Sequence, residues 1–425
     1  MNALPADPAR MSARAARDAI RASELSGAEL VAACRARAEA RADLRAWSVL
    51  DPQAQLDGTA DGPLAGLPVG VKDIIATAGM TTQFGSPIHA SHVPAADAAC
   101  VAALRMAGGL VMGKTKTTEF AAYTPTDTRN PHNPAHTPGG SSSGSAAAVA
   151  DFHVPLAIGT QTAGSVIRPA AYCGVVGYKP SFGLIDTAGT LAFSASLDTL
   201  GVFARDVADA ALFAGAMAGW DALGTLAPAA PRRVRIVRAP QWERAEPEMI
   251  AAVEAAAACF ADAGIPVEEA PLPEDFEVLA ELQDRVQVFE GRRALAWERM
   301  AHPDLLSPGL RGHFDRIAAL PFDEYWAARA AQRDWQHRVA RMIPPGEVWL
   351  TASAPGAAPE GLEATGDPIF CRAWTFLHMP CVGLPAGTGA AGLPLGVQLV
   401  APQGDDARAL AAAAWLEERI GQGGR

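Results

Sequence analysis

Lysine is nearly absent from this chain of 425 residues. Four of its 35 basic residues are lysines, and the rest are arginines, which stay charged in every protein environment. A desolvated lysine, in contrast, can lose its proton and act as a base. The four lysines all fall in one stretch, which also holds the densest Gly/Ser motif of the chain: Lys72, Lys114, Lys116 and Lys179. An amine that can act as a base, close to clustered hydroxyls, favours chemistry with a hydroxyl nucleophile.

Other absences exclude whole classes of protein. The six cysteines lack the paired spacing of a disulfide framework or zinc ribbon. The net charge is −11 and basic runs are missing, which argues against a nucleic-acid partner. No apolar run approaches the roughly 20 residues that cross a bilayer, and no signal-peptide pattern is seen at the N-terminus. We therefore expect a cytoplasmic protein that binds neither nucleic acid nor membrane.

Short apolar segments alternate with helix-periodic segments along much of the chain. The predicted strands are 66–71, 110–112, 154–158, 174–176, 233–237, 382–385 and 395–400. The predicted helices are 10–42 with a cap or break at Ser26, 95–108, 142–151, 165–172, 205–217, 247–263, 275–299, 322–342 and 405–420. The stretch 344–366, rich in Pro, Gly and Ala, is predicted to be a loop. This alternation predicts an α/β sandwich around a buried sheet.

Three segments carry residue types that acyl transfer needs. They are Pro-Val-Gly-Val-Lys-Asp at 68–73, Pro-Gly-Gly-Ser-Ser-Ser-Gly-Ser at 138–145 and Gly-Thr-Gln-Thr-Ala-Gly-Ser-Val-Ile-Arg-Pro-Ala at 159–170. A serine nucleophile needs an adjacent base, and the tetrahedral intermediate needs backbone N–H donors for its oxyanion. Small residues that open a helix, as at 162–165, let the backbone approach a substrate and gather such donors.

These segments, in this order and spacing, resemble the motifs of the amidase signature family. Ser141 and Ser165 lie 24 residues apart, as the two catalytic serines of that family do. The resemblance implies Ser165 as the nucleophile and Lys72 as the neutral general base. Ser141, after a cis Gly140–Ser141 peptide bond, would relay protons. The oxyanion hole would be formed by the backbone N–H groups of Thr162, Ala163, Gly164 and Ser165.

The resemblance also implies an amidase signature fold, in which a mixed central β-sheet is sandwiched between layers of α-helices. Length alone would allow roughly two or three domains, but we expect a single domain over 1–425. Its parts are an N-terminal helical segment (1–45), a catalytic core (60–205), a variable and mostly helical region (206–344) and a C-terminal return to the core (345–425). The variable region is where we expect the substrate pocket to be decided. No metal or cofactor is implied, and a homodimer is a family-level expectation.

The arginine after the nucleophile gives the one indication of substrate. Arg168 lies three residues after Ser165, whereas many family members place an arginine two residues after. The pattern resembles the malonamidase-like branch, in which the matching arginine holds a substrate carboxylate. We therefore predict an amidase for a small, polar or carboxylate-bearing amide, with a purely structural Arg168 as the alternative. Further candidate substrate contacts are Gly139, Gly140 and Gln161.

Several alternatives stay open at this point. Residues 140–144 match the G-x-S-x-G nucleophile elbow with Ser142 as the nucleophile, although a loop rather than a strand precedes them. Lys114 and Lys116 are interpreted as structural and Lys179 as a turn residue. The same triad could cleave biuret- or allophanate-type substrates, carbamates or esters. An amidotransferase A subunit usually has Asp where this chain has Gln161, and a non-catalytic partner-binding subunit would not need an intact triad.

Overall fold

The structure is a computed structural model that describes residues 7–51, 61–238, 241–316 and 320–420. Residues 1–6 of the expected N-terminal segment lie outside this description, as does residue 60 of the expected core. Within the described ranges, no helix is both long and apolar enough to cross a membrane.

The described strands form one 11-stranded sheet in the order β1-β3-β2-β4-β6-β5-β10-β11-β9-β7-β8. The strands are β1 (Trp47–Leu50), β2 (Pro68–Lys72), β3 (Leu110–Thr115), β4 (Leu156–Gln161), β5 (Val176–Lys179), β6 (Thr199–Ala204), β7 (Arg233–Ile236), β8 (Val267–Glu269), β9 (Glu347–Ala352), β10 (Cys381–Thr388) and β11 (Pro394–Val400). Strand β2 pairs in parallel with both β3 and β4, whereas β4 and β5 pair antiparallel with β6. The sheet is therefore mixed, which confirms the predicted fold class.

The described residues form thirteen α-helices, several of which pack against this sheet. They are α1 (Ala13–Arg21), α2 (Gly27–Ala40), α3 (Ala99–Met106), α4 (Ser143–Ala150), α5 (Ile167–Cys173), α6 (Val207–Ala218), α7 (Pro247–Asp262), α8 (Val278–Ala294), α9 (Ala296–Ala301), α10 (Pro308–Arg316), α11 (Phe322–Ala340), α12 (Ile369–Phe376) and α13 (Asp406–Ile420). Every residue of β2, β3 and β4 is buried. Because successive side chains of a strand point to opposite faces, both faces of the sheet are covered there.

The small residues of α4 explain how this helix lies so close to the strands. Its sequence is Ser-Gly-Ser-Ala-Ala-Ala-Val-Ala, and all but the last residue are buried. The backbone N–H of Gly144 donates to the carbonyl oxygen of Lys116 at 2.9 Å. A Cβ at Gly144 would overlap the carbonyl oxygen of Ala46 and the backbone nitrogen of Lys116. Only glycine fits at this contact, which fixes the start of α4 beside the end of β3.

Two predictions of local structure need correction, and one is confirmed. The predicted loop 344–366 contains β9, a buried strand between β11 and β7, where burial on both faces removes the polar alternation of a strand. The predicted helix 275–299 is divided into α8 and α9 at Leu295. The predicted helix 10–42 is two helices, and Ser26 caps the second in a capping box with Glu29, so the break at Ser26 is confirmed.

Candidate active site

Lys72 ends the buried strand β2, and its side chain is 0% exposed. Its Nζ lies 2.7 Å from the Oγ of Ser141 and 2.7 Å from the Oγ1 of Thr160. Burial lowers the pKa of Lys72 from 10.5 to about 7, and the negative charge of Asp198 opposes this shift without cancelling it. A substantial fraction of the Lys72 amines is therefore neutral near pH 7 and able to accept a proton.

Ser141 follows a cis peptide bond from Gly140 and stands just before α4. Its carbonyl oxygen accepts a hydrogen bond of 3.2 Å from the backbone N–H of Thr118. A Cβ at Gly140 would lie 2.7 Å from the Cγ2 of Thr365, so this position has no room for a side chain. Gly139 has a φ of +83°, a conformation that glycine adopts without strain. Both glycines thus shape the backbone that presents Ser141.

The hydroxyls of the neighbouring serines form hydrogen bonds with the backbone inside the fold. Ser142 is fully buried, and its Oγ lies 3.3 Å from both the backbone nitrogen and the carbonyl oxygen of Thr160. The hydroxyl of Ser143 donates to Gly139 at 2.8 Å, and that of Ser145 to Ile158 at 2.9 Å. Ser142 therefore does not line the cavity described below, and this arrangement disfavours it as a nucleophile.

The segment 162–165 connects β4 to α5 and carries four consecutive backbone N–H groups. None of these four groups donates a hydrogen bond to another residue that the structure describes. The next two N–H groups, of Val166 and Ile167, donate to the Oε1 of Gln161 at 2.9 and 3.0 Å. The amide of Gln161 also donates to the Oγ1 of Thr375 at 2.9 Å. Gln161 is fully buried behind the segment, and its role as a substrate contact stays a prediction.

A cavity of about 270 Å³ brings half of the predicted site residues together. Its wall consists of Ala121, Ala122, Tyr123, Ser141, Thr162, Ala163, Ser165, Arg168, Gln287, Glu363, Ala364, Thr365, Gly366, Pro368 and Arg372. Lys72 lies behind Ser141 and does not form the wall. Of the described residues that line this cavity, Gln287 alone belongs to 206–344, and the role of this region in substrate choice stays a prediction. Most of the wall comes from 121–123 and 363–372.

A larger cavity, of about 560 Å³, lies beside the segment 116–127. Its described lining contains Lys116, Glu119 and Asp127 but none of the three predicted catalytic residues. The smaller cavity is the candidate active site, because Ser141 and Ser165 line it.

Arg168 lies on the cavity wall and is 4% exposed. One guanidinium nitrogen, NH2, donates to the carbonyl oxygen of Gly140 at 2.6 Å and to the Oγ1 of Thr365 at 3.1 Å. The other two nitrogens, Nε and NH1, have no hydrogen-bond partner among the described residues. Burial lowers the pKa of Arg168, but a guanidinium stays charged in proteins. Arg168 therefore places a positive charge in the cavity wall, and two of its buried donors are left unused by the described residues.

Two residues beside the triad were missed from the sequence. The hydroxyl of Thr160 contacts Lys72, and no sequence pattern marks it except its position on the strand that leads to Ser165. The carboxylate of Asp198 accepts from the hydroxyl of Thr162 at 2.5 Å and from the N–H of Ser194 at 2.9 Å. Burial raises the pKa of Asp198 to about 6. No sequence pattern gave Asp198 a role.

The remaining lysines are held by the fold or by surface charge. The Nζ of Lys114 is buried and donates to the carbonyl oxygen of Ile75 and to the hydroxyl of Thr82. Lys179 is not a turn residue as predicted, because it ends strand β5 and is fully buried, with its Nζ donating to the carbonyl oxygen of Met379. Lys116 pairs with Asp127. Among the described lysines, Lys72 is therefore the one that reaches a serine of the cavity wall.

The fold and the cavity define a class of protein: an α/β enzyme in which two serines and free N–H donors meet at one cavity and a buried amine lies behind one of the serines. The model of the Amidase family matches residues 21–410. The chain therefore belongs to the Amidase family and is a carbon–nitrogen hydrolase of that family.

Individual relatives agree with this assignment. The A subunit of the glutamyl-tRNA(Gln) amidotransferase of Thermus thermophilus is 34% identical over 402 residues, which cover 84% of this chain and 85% of that protein. A crystal structure of an amidase has a TM-score of 0.87 and 28% identity, covering 96% of this chain and 100% of that one. The peptide amidase of Stenotrophomonas maltophilia has a TM-score of 0.80 and 28% identity, covering 97% of each chain. The likeness to the malonamidase-like branch stays a prediction.

Proposed function

We propose that this protein hydrolyses a small amide through an acyl-enzyme on Ser165, with Ser141 as the proton relay and Lys72 as the general base. The observation that carries the proposal is the 2.7 Å contact between Nζ of Lys72 and Oγ of Ser141, together with a pKa of Lys72 of about 7. A buried amine with this pKa can take up a proton at neutral pH and return it.

The proton transfers follow from this arrangement. Lys72 accepts a proton from Ser141 as Ser141 accepts one from Ser165, and the Oγ of Ser165 adds to the amide carbonyl carbon. The resulting oxyanion is met by the four free N–H groups of 162–165. The carbon–nitrogen bond breaks as Ser141 protonates the leaving amine and is itself reprotonated by Lys72. Water, deprotonated through the same two residues, then cleaves the acyl-enzyme and frees Ser165.

The proposed substrate is a small amide with a carboxylate or another strongly polar end. Arg168 supports this because its Nε and NH1 are unpartnered within the described residues and because it lies on the same wall as Ser165. A carboxylate can accept two hydrogen bonds from one guanidinium. A cavity of about 270 Å³ suits a small molecule. Biuret- and allophanate-type substrates, carbamates and esters fit the same triad and remain alternatives.

A second candidate function comes from the relatives. The 34% identity to an amidotransferase A subunit favours a role in which the same serine opens an amide but the nitrogen passes to another molecule. A protein of this kind would act with partner chains, whereas the proposed hydrolase acts alone. The single domain over 1–425 and the homodimer belong to the hydrolase proposal and rest on the family resemblance. A cytoplasmic location is proposed with them.

The first test is the intact mass of the protein after exposure to a fluorophosphonate. We expect one adduct on the wild type, no adduct on Ser165→Ala and slower labelling of Lys72→Ala. The purified chain is then given monoamides of short dicarboxylic acids, neutral aliphatic amides and glutamine. Turnover of the acidic monoamides by the chain alone supports the hydrolase. Turnover of glutamine alone favours the amidotransferase role, and labelling that survives Ser165→Ala excludes Ser165 as the nucleophile.

A further inference from the structure

Two side chains outside the triad hold the backbone of the oxyanion segment from behind. The Nε2 of Gln283, on α8, donates to the carbonyl oxygen of Thr162 at 2.9 Å. The Oγ1 of Thr375, on α12, donates to the carbonyl oxygen of Ala163 at 2.8 Å. Both side chains are fully buried, and neither belongs to the described cavity wall. They contact the segment without being able to touch a substrate.

Because the peptide unit is planar, a hydrogen bond to its carbonyl oxygen also fixes the direction of the N–H group that follows. The peptide bonds after Thr162 and Ala163 are trans, since the cis bond found in the described chain is Gly140–Ser141. In a planar trans peptide the C=O and the N–H point in opposite directions. When Gln283 holds the carbonyl of Thr162, the N–H of Ala163 is turned the other way. Thr375 orients the N–H of Gly164 in the same manner through the carbonyl of Ala163.

The direction of the Gln283 hydrogen bond is fixed by a third residue. Arg372 donates to the Oε1 of Gln283 at 2.6 Å. An arginine has only donors, so the oxygen of the amide must face Arg372 and the nitrogen must face Thr162. The same Nε2 also donates to the Oε1 of Gln287 at 2.7 Å. Both hydrogens of the Gln283 amide are therefore used, and the side chain has no freedom to flip.

Thr375 is fixed in a similar way. The Nε2 of Gln161 donates to the Oγ1 of Thr375 at 2.9 Å, which leaves the single hydroxyl hydrogen for an acceptor. The carbonyl oxygen of Ala163, at 2.8 Å, is closer than that of Cys371, at 3.2 Å. The chain Gln161–Thr375–Ala163 thus connects the end of β4, helix α12 and the oxyanion segment.

We propose that Gln283 and Thr375 are positioning residues of the oxyanion hole, which aim the N–H groups of Ala163 and Gly164 at the developing oxyanion. This inference rests on the proposed function. Donors held in advance stabilise charge that appears in the transition state, and they add little to the binding of the neutral amide. Loss of either side chain should therefore lower kcat and leave KM nearly unchanged.

The test compares Gln283→Met and Thr375→Val with two matched controls. Gln332 is also buried, accepts from Arg329 and donates its Nε2 to a carbonyl, that of Phe376 at 2.7 Å. Thr351 is buried and donates to the carbonyl of Val237 at 2.8 Å. Gln332→Met and Thr351→Val therefore remove the same groups away from the oxyanion segment. Thr375→Ser keeps the hydroxyl and serves as the rescue variant.

We expect kcat to fall by about 10- to 100-fold in Gln283→Met and Thr375→Val, because loss of a whole oxyanion donor costs about 10²–10³-fold. Inhibition by a boronic acid, which forms a tetrahedral adduct on Ser165, should weaken by a similar factor. The affinity for the carboxylate product should stay the same. The two controls and Thr375→Ser should keep kcat close to that of the wild type.

Three outcomes would each overturn a claim. An active wild type with unchanged kcat and boronic acid affinity in both variants overturns the inference alone. A parallel loss in Thr351→Val and Gln332→Met also overturns it, since the effect would then be one of general packing. A wild type that neither turns over an amide nor forms a fluorophosphonate adduct overturns the proposed function itself. If Thr375→Val fails to fold, Gln283→Met and its control Gln332→Met still test the inference.

Discussion

Arg168 donates a hydrogen bond of 2.6 Å to the carbonyl oxygen of Gly140, whose peptide bond to Ser141 is cis. The guanidinium therefore contacts the backbone beside one proposed catalytic serine while two of its nitrogens remain unpartnered within the described chain. A structural role and a substrate-binding role are both compatible with this one side chain. The two roles can be separated only by comparing substrates that differ in charge.

Replacement of Arg168 should distinguish acidic from neutral amides. Charged hydrogen bonds contribute about 1.5–3 kcal/mol, so Arg168→Ala should lower kcat/KM for a carboxylate-bearing amide about 10- to 100-fold more than for its neutral analogue. Loss of the contact to Gly140 should lower both values equally. Steady-state kinetics with a matched pair of amides measures the ratio. An unchanged ratio would leave Arg168 with the structural role only.

The pH dependence of activity should follow the ionisation of Lys72. The proposed base must be neutral, and the pKa of Lys72 is about 7. We therefore expect kcat/KM to rise with pH, with a midpoint near 7, and to level off once Lys72 is deprotonated. A substrate without groups that ionise in this range isolates the effect. A profile that stays flat through neutral pH contradicts the role of Lys72 as the base.

Lys72 should also make stability depend on pH in the alkaline range. Its pKa is lowered from 10.5 to about 7 by folding, so between these values the unfolded chain binds the extra proton. The free energy of unfolding of the wild type should then rise with pH relative to Lys72→Met, by up to about 1.4 kcal/mol per pH unit. Urea unfolding of both proteins at several pH values measures the difference. A constant difference would show that folding leaves this pKa unshifted.

Adjacent serines should behave differently when replaced by alanine. Ser141→Ala removes the proposed relay, so both amide turnover and fluorophosphonate labelling should fall sharply. Ser142→Ala removes a buried hydroxyl whose hydrogen bonds in the described structure go only to the backbone of Thr160. It should cost about 0.5–1.5 kcal/mol of stability and retain labelling. If Ser142→Ala folds but is no longer labelled by the fluorophosphonate, the alternative with Ser142 as the nucleophile of a G-x-S-x-G elbow would be favoured.

A methyl group at Gly144 should be poorly tolerated. Its Cβ would overlap backbone atoms of Ala46 and Lys116, neither of which can move aside as a side chain could. In an exposed helix, replacement of glycine by alanine stabilises a protein by roughly 1 kcal/mol. We expect Gly144→Ala to do the opposite and to destabilise the protein by several times this amount. Gly312 in α10 has open space around it and is the matched control. Thermal unfolding of both variants should give shifts of opposite sign.

The motifs of the Amidase family were the most predictable part of the molecule. Lys72 stands out because it ends a fully apolar segment in a chain that otherwise uses arginine. The fold class followed from the alternation of strands and helices. Strand β9 was missed because its neighbours in sequence are rich in proline and glycine and because burial of both faces erases its alternation.

The contacts across the site could not be predicted. Gln161 is adjacent in sequence to the oxyanion segment, yet its amide points behind that segment because Thr375, 214 residues further along the chain, supplies the partner. Gln283 lies in a region without motif similarity. Contacts between residues so far apart in the chain depend on how the sheet is assembled. A local sequence pattern cannot predict which residues that assembly brings together.

The hydrogen bond between Gln283 and Thr162 limits how this scaffold can be redesigned. The region 206–344 is a natural choice for chimeras in which a segment of one relative replaces that of another, since it carries little of the family's motif similarity. Yet α8 also supplies the amide that holds the backbone just ahead of Ser165. A chimera with another helix in this place would alter turnover for every substrate at once, however well its new pocket fitted one. Retaining an amide at position 283, with an arginine to orient it, is the condition for treating this region as an interchangeable module.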